Sequence, residues 1–185
     1  MDFEPEIIRS SRRTLSVEIG RDLRVIVRAP RRLPEREIAR FLAERSDWIE
    51  SHLARARGRL AEAAALPKLG DAERGELRRR AVEMIPGRVE YFAGRLGVGF
   101  GRLSYRFQRT RWGSCSAEGN LSFNCLLMLC PPEVLDYVIV HELCHRREMN
   151  HSARFWAEVG LVLPDYKSCR AWLREHGPAL MARLG

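Results

Sequence analysis

Apolar residues along this chain recur at every second position in some stretches and at every third or fourth in others, and the switches between these periods mark its elements. Leu15, Val17 and Ile19 alternate with Thr14, Ser16 and Glu18, and after Gly20-Arg21-Asp22 the residues Leu23, Val25 and Val27 alternate with Arg24 and Arg28. Period two on both sides of a turn predicts a β-hairpin. Pro34, followed by Glu35 and Glu37 at the positive end of a helix dipole, starts a helix whose apolar face is Ile38, Phe41, Leu42, Trp48, Ile49 and Leu53. The alanine-rich stretch from Gly58 to Gly70, punctuated by Pro67, predicts a connection between two lobes. A second helix is expected from about Ala72 to Leu96 with Leu77, Ala81, Met84, Ile85 and Val89 inward, bent or broken at Pro86.

Period two returns at Leu103, Tyr105 and Phe107, which predicts a third strand. Thr110-Arg111-Trp112-Gly113-Ser114-Cys115-Ser116 is expected to be a tight loop, and Ala117-Glu118-Gly119-Asn120 a turn. The run Leu121 to Leu129 is apolar almost throughout and predicts a fourth strand, buried on both faces. Pro131-Pro132-Glu133 then opens a helix in which Val134, Leu135, Val138, Ile139 and Val140 leave no wet face, so it is expected to be the central buried helix. Its polar residues emerge only in the last two turns. Ser152 can cap a following helix that carries Phe155, Trp156 and Val159, and after Pro164-Asp165-Tyr166 a final helix turns Trp172 and Leu173 inward.

Composition adds four constraints. With 45% hydrophobic and 30% charged residues over 185 positions, the chain reads as a soluble globular protein of one domain with two lobes. The acidic N-terminus lacks the basic-then-apolar run of a secretory signal, and no apolar stretch reaches membrane-spanning length, so a cytoplasmic location is expected. Cys115, Cys125, Cys130, Cys144 and Cys169 are odd in number and form no C-x-x-C pair, which argues against a disulfide framework or a cysteine-rich zinc module. The net charge of +8 favours a polyanionic partner such as nucleic acid, nucleotide or an acidic protein, although an arginine-rich wet surface accounts for it as well.

The chemistry is concentrated in Val138 to His151, which holds three of the five histidines. His141 and His145, four apart, lie one turn apart on one face of a helix and can grip one metal ion. His151 is the candidate third ligand, brought back if the helix stops and Asn150 takes a left-handed conformation. Glu142, beside the first ligand, is placed to take a proton from water, and a fourth position stays open. The competing reading is an apolar helix with histidines packed in a core. Arg111, Ser114, Asn124 and Tyr166 are candidate donors to an oxyanion, with Trp112, in the same loop as Arg111 and Ser114, as a further substrate contact. Leu121 to Leu129 is the candidate strand for an extended substrate to lie along.

Arg111-Trp112-Gly113-Ser114-Cys115-Ser116, Pro132-Glu133-Val134-Leu135-Asp136-Tyr137-Val138, His141-Glu142-Leu143-Cys144-His145 and Asn150-His151-Ser152-Ala153-Arg154-Phe155-Trp156 occur in this order. Together they resemble the YgjP-like metallopeptidase-domain family and, more distantly, the SprT-like and WLM-type zinc proteases. Metzincins share the histidine spacing but carry glycine where this chain has Glu148, so the resemblance does not extend to them. It implies an α+β, zincin-like metallopeptidase fold with a small antiparallel sheet and a buried HExxH helix. It also implies a single domain over residues 1–185, with an N-terminal lobe of about 1–66 and a catalytic lobe of about 71–185. One zinc ion would be held by His141, His145 and His151, with Glu142 as the catalytic carboxylate. The expected activity is zinc-dependent peptide hydrolysis. One rival is hydrolysis of a nucleoside triphosphate, UTP, at the same site; another is a basic nucleic-acid-binding module with a structural zinc closed by Glu148 or Cys144.

Overall fold

The computed structural model describes residues 3–20 and 22–185. It is a mixed α+β protein that divides into two compact units, Met1–Glu62 and Ala63–Gly185, each with its own three-stranded sheet.

In the first unit the predicted hairpin is β2 (Ser16–Ile19) against β3 (Val25–Pro30), paired antiparallel with Val17 opposite Val27. A strand without an alternating pattern, β1 (Pro5–Ser10), adds parallel to β3 on its other side. The sheet is therefore mixed rather than antiparallel. Val25, Val27 and Ala29 of β3 form the core of this unit with Ile38 and Leu42 of α1 (Glu35–Ala43) and Ile49 and Leu53 of α2 (Ser46–Ala65). The single helix expected from Pro34 is thus two, and Trp48 is largely exposed instead of inward. Helix α2 also runs through Gly58 to Ala65, because alanine sustains a helix where no proline intervenes, and the connection shrinks to 66–70. Two arginines of the hairpin are committed locally, Arg28 to Glu18 at 2.8 Å and Arg24 to Glu6 at 3.1 Å, as expected of a wet face.

The second unit is built around α4 (Pro132–Cys144), whose Val134, Leu135, Val138, Ile139, Val140, Leu143 and Cys144 are all buried. Proline at its start and Glu133 in its first turn suit the positive end of the dipole. Against it lies α3 (Asp71–Leu96), which presents Leu77, Ala81, Ile85, Val89 and Phe92. Met84, expected inward, is exposed. Pro86 does not break α3: the carbonyl it leaves unpaired is that of Val82, which is 51% exposed and open to water. An Arg88–Asp136 ion pair joins the two helices.

The second sheet has the order β4-β6-β5, with β4 (Leu103–Arg106) parallel and β5 (Gly113–Cys115) antiparallel to the central β6 (Leu121–Asn124). The apolar run after Leu121 is strand only as far as Asn124; Cys125–Leu129 is a buried 3-10 helix. Asn124 makes this switch, because its side-chain oxygen accepts the Leu126 N–H at 3.1 Å and caps the new helix. The turn before β6 uses Gly119 at φ +86°, where the Arg146 guanidinium packs so closely that a Cβ would lie 2.7 Å from Cζ. Helices α5 (Ala153–Val162) and α6 (Tyr166–Ala182) complete the unit, and the Ser152 hydroxyl caps α5 by accepting the Phe155 N–H at 3.3 Å. Trp172 and Leu173 of α6 are half-buried. All five cysteines are free.

Candidate metal centre

Helix α4 ends without the left-handed residue expected at Asn150; among the described non-glycine residues only Leu23 has a positive φ. The chain instead tightens: His145 keeps right-handed helical geometry, and the N–H groups of Arg146, Arg147 and Glu148 bond back to the carbonyls of Leu143 and Cys144 at 3.0 Å. Two arginines fix this turn from behind. Arg146 donates to the carbonyls of Gly99 and Ala117 at 3.1 and 2.9 Å, and Arg147 donates to the Leu96 carbonyl and reaches Glu158 of α5 at 2.7 Å. The segment returning to His151 is thereby tied to α3, to the turn before β6 and to α5.

The outcome is a triangle of imidazoles. The ring centroids of His141, His145 and His151 lie 4.9 to 5.0 Å apart, and one nitrogen from each falls within a 4.8 Å group. Among the described residues no fourth His, Cys, Asp or Glu joins them. Nε2 of His141 and Nε2 of His151 are 3.0 Å apart, a separation at which two lone pairs repel unless a proton or a cation lies between them. His145 Nδ1 is 3.1 Å from the Glu148 carbonyl, which can only accept, so Nδ1 carries the hydrogen and Nε2 keeps a free lone pair. His141 Nδ1 is buried with no partner.

Beneath the triangle sits Phe155, fully buried, its ring centroid 4.8, 4.7 and 4.8 Å from those of His141, His145 and His151. Trp156 stacks on His151 at 5.7 Å and on Tyr166 at 5.3 Å, with Arg170 over its ring at 4.8 Å. These aromatics brace His151, the exposed member of the three.

Burial sets the charge state of the site. It pushes His141 down to about 3, reinforced by the neighbouring His145, His151 and Arg170, and it also lowers His145 against the opposing effect of the Glu148 carbonyl. Neutral imidazoles are what a divalent ion requires. Glu142, 6% exposed, is pushed up to about 8 by burial while the Arg111 guanidinium pulls it down. Cys144 is fully buried with its thiol raised to about 12, and it stands outside the ligand group, as does Glu148.

The model of the YgjP-like family, metallopeptidase domain, matches residues 13–76 and 67–176. The chain belongs to that family. None of the curated proteins matches this YgjP-like chain. Two solved structures are similar over half of it. One is the metallopeptidase zymogen abylysin of Pyrococcus abyssi, 23% identical, covering 49% of this chain and 91% of its own at a TM-score of 0.46. The other is the metallopeptidase zymogen jannalysin of Methanocaldococcus jannaschii, 19% identical, covering 49% and 94% at a TM-score of 0.44. Membership in a metallopeptidase-domain family implies a metal, and the converged imidazoles of this YgjP-like chain fit one.

The remaining predicted site residues of the YgjP-like domain are dispersed. Arg111 is exposed and acts on Glu142. Trp112 lies against Gly177 of α6, where a Cβ would meet its ring at 3.1 Å, and so packs helix to strand. Ser114 alternates with Gly113, which faces Glu142, and therefore points to the other face of the sheet. Asn124 is 1% exposed and donates both amide hydrogens to the carbonyls of Gln108 and Arg111, at 2.7 and 3.0 Å, which leaves none for a substrate. Tyr166 is one ring removed from the histidines, on the far side of Trp156. The strand expected to receive an extended substrate, β6, is central with both edges paired; β4 and β5 are the edge strands, and β5 is the one beside Glu142. Phe155 and Trp156 lie against His151, where the sequence leads one to expect them to pin its segment; Gly113 is the contact that sequence reasoning missed, since a glycine carries no chemical signature.

Proposed function

We propose that this YgjP-like domain is a zinc-dependent peptidase in which His141, His145 and His151 hold the ion and Glu142 carries protons. The observation that supports this most is the convergence of three imidazoles within 4.8 Å with no fourth side-chain ligand among the described residues. Such a donor set suits a catalytic ion with an open position rather than a closed structural one. Zinc, when bound, would make water acidic near neutral pH and polarise the scissile carbonyl. Glu142 takes the proton of the attacking water as the C–O bond forms. It returns that proton to the amide nitrogen as the C–N bond breaks. Arg111 offers positive charge beside Glu142, suited to the oxygen on which negative charge develops. The unpaired edge of β5 gives an extended polypeptide backbone groups to pair with. The fold this reading assigns is zincin-like. Among the described residues no helix is long and apolar enough to cross a membrane, so membrane insertion of a helix takes no part in it.

The test is to measure zinc content and to assay wild type and Glu142→Gln in parallel on an unfolded protein and on UTP. Cleavage of the polypeptide that disappears in Glu142→Gln while one zinc per chain is retained supports the proposal. Hydrolysis of UTP alone, lost in the same variant, would transfer the site to a nucleotide substrate. If zinc is bound and neither activity depends on Glu142, the enzymatic reading fails.

A further inference from the structure

The glycine at the start of β5 needs a reason. Glycine in a strand weakens it, through backbone entropy and the loss of a side chain to pack. Gly113 is not among the residues with positive φ, so its backbone conformation is open to alanine. The reason is spatial. A Cβ at Gly113 would fall 2.6 Å from Oε1, 2.7 Å from Cγ and 2.9 Å from Cδ of Glu142. No real Cβ makes contacts that short, so one partner would have to move.

Neither has room. Residue 113 is paired to Phe123 of the central strand, and the preceding carbonyl, that of Trp112, accepts the Asn124 N–H at 2.8 Å. Trp112 itself is wedged against Gly177. On the other side, Glu142 leaves a helix whose Val140, Leu143 and Cys144 have no exposed surface, so the helix cannot rotate to carry the carboxylate away. The side chain must therefore change its own torsions. To restore ordinary contact at 3.4 Å, Oε1 has to retreat by about 0.8 Å.

We infer that Gly113 is a positioning residue: the absence of a side chain there makes the slot in which the Glu142 carboxylate is held, so the edge strand β5 sets where the proton-transferring group stands. Its catalytic consequence rests on the peptidase reading, whereas the steric coupling does not. Gly113→Ala leaves the three histidines untouched and displaces only the carboxylate. A misplacement of about 1 Å can cost on the order of 100-fold in rate.

The test is a double-mutant cycle on the full chain, Gly113→Ala, Glu142→Ala and both together, followed by thermal unfolding. Glu142→Ala removes the three atoms nearest to a Cβ at Gly113. Gly113→Ala alone should lower the melting temperature by on the order of 5 °C, and in the Glu142→Ala background it should have almost no effect. A single variant that fails to fold beside a double variant that folds gives the same answer. Equal losses in both backgrounds, or two variants that both fail to fold, overturn the inference. On the zinc-loaded protein, Gly113→Ala should lower kcat about 100-fold with KM and zinc affinity unchanged. Unchanged kcat in a protein that cleaves polypeptide would refute the positioning role. Coupling in the cycle without any peptidase activity in the wild type would sink the proposed function and leave the slot standing.

Discussion

Replacing Glu142 by glutamine keeps the shape of the side chain and removes its titration, so it isolates what burying this carboxylate does to folding. Burial raises its pKa from 4.5 to about 8 against the pull of Arg111. The folded metal-free protein therefore keeps a proton on Glu142 up to about pH 8, while the unfolded chain loses it near 4.5. Between these values the folded state binds more protons, and its stability falls as pH rises through the window. At 1.36 kcal/mol per pH unit, the displacement amounts to about 5 kcal/mol in full, of which roughly 4 develops between pH 5 and 9. Water entering the metal-free site relaxes part of this, and about 2 to 4 kcal/mol is the expected range. Glu142→Gln has no such pH-dependent loss.

The measurement is urea unfolding of wild type and Glu142→Gln at pH 5, 7 and 9, each stripped of metal with a chelator, because a cation beside the carboxylate would favour its charged form. The two proteins should be within about 1 kcal/mol of each other at pH 5, and the variant should be more stable by about 2 to 4 kcal/mol at pH 9. Titrating groups that do not feel Glu142 cancel in the difference; Cys115 and Tyr137, raised chiefly by burial and further by the Glu142 charge, cancel only in part. Parallel stability curves across this range would show that the carboxylate does not feel the buried environment in which α4 and β5 place it.

The site makes further demands. His151→Ala should reduce bound zinc from one ion per chain to none at micromolar metal and abolish the rise in melting temperature that zinc gives the wild type, both readable by metal analysis and thermal scanning. In the metal-free protein His141 is held at about 3 against 6.5 when unfolded, so its contribution is intact above pH 6.5 and is lost as pH falls toward 3. His141→Gln should accordingly flatten the acid limb of stability measured by urea unfolding. Asn124→Ala removes bonds to Gln108, Arg111 and Leu126 and should cost about 2 to 4 kcal/mol by denaturant unfolding, with zinc affinity unchanged. An Asn124→Ala protein of wild-type stability would show that the loop bearing Arg111 is held by something else.

The clustering of the three histidines was legible in the sequence because it is local. His141 and His145 sit one turn apart by helical periodicity alone, and His151 follows within a turn and a cap. The capping Ser152 was legible for the same reason. Parallel pairing was not: β1 joins β3 across the hairpin, and β4 joins β6 across a loop and β5, and no periodicity within a strand announces its partner's direction. The expectation of a small antiparallel sheet therefore gives way to two mixed ones. The run from Leu121 to Leu129 misled because a buried 3-10 helix and a doubly buried strand have the same unbroken apolar signature; Asn124, the residue that separates them, acts through side-chain bonds that spacing does not reveal. Asn150 was given a left-handed conformation that the chain avoids by tightening its last turn, with Arg146 and Arg147 fastened to distant carbonyls.

Burying a helix that is apolar all round has one consequence for every polar group it carries. His141 is driven toward its neutral form by the same loss of solvent that drives Glu142 toward its own, although one is a base and the other an acid. Burial therefore favours the uncharged forms of His141, His145 and Glu142 together. On the proposed function, a dication entering such a place would meet His141 and His145 already held toward their neutral forms, and it would reverse the balance at the carboxylate, which it favours in the charged form. Apolar residues such as Val138 and Ile139 thus do chemical work at a distance: by burying the helix they hold His141 and His145 toward their neutral forms and leave the state of Glu142 to be decided by what binds beside it.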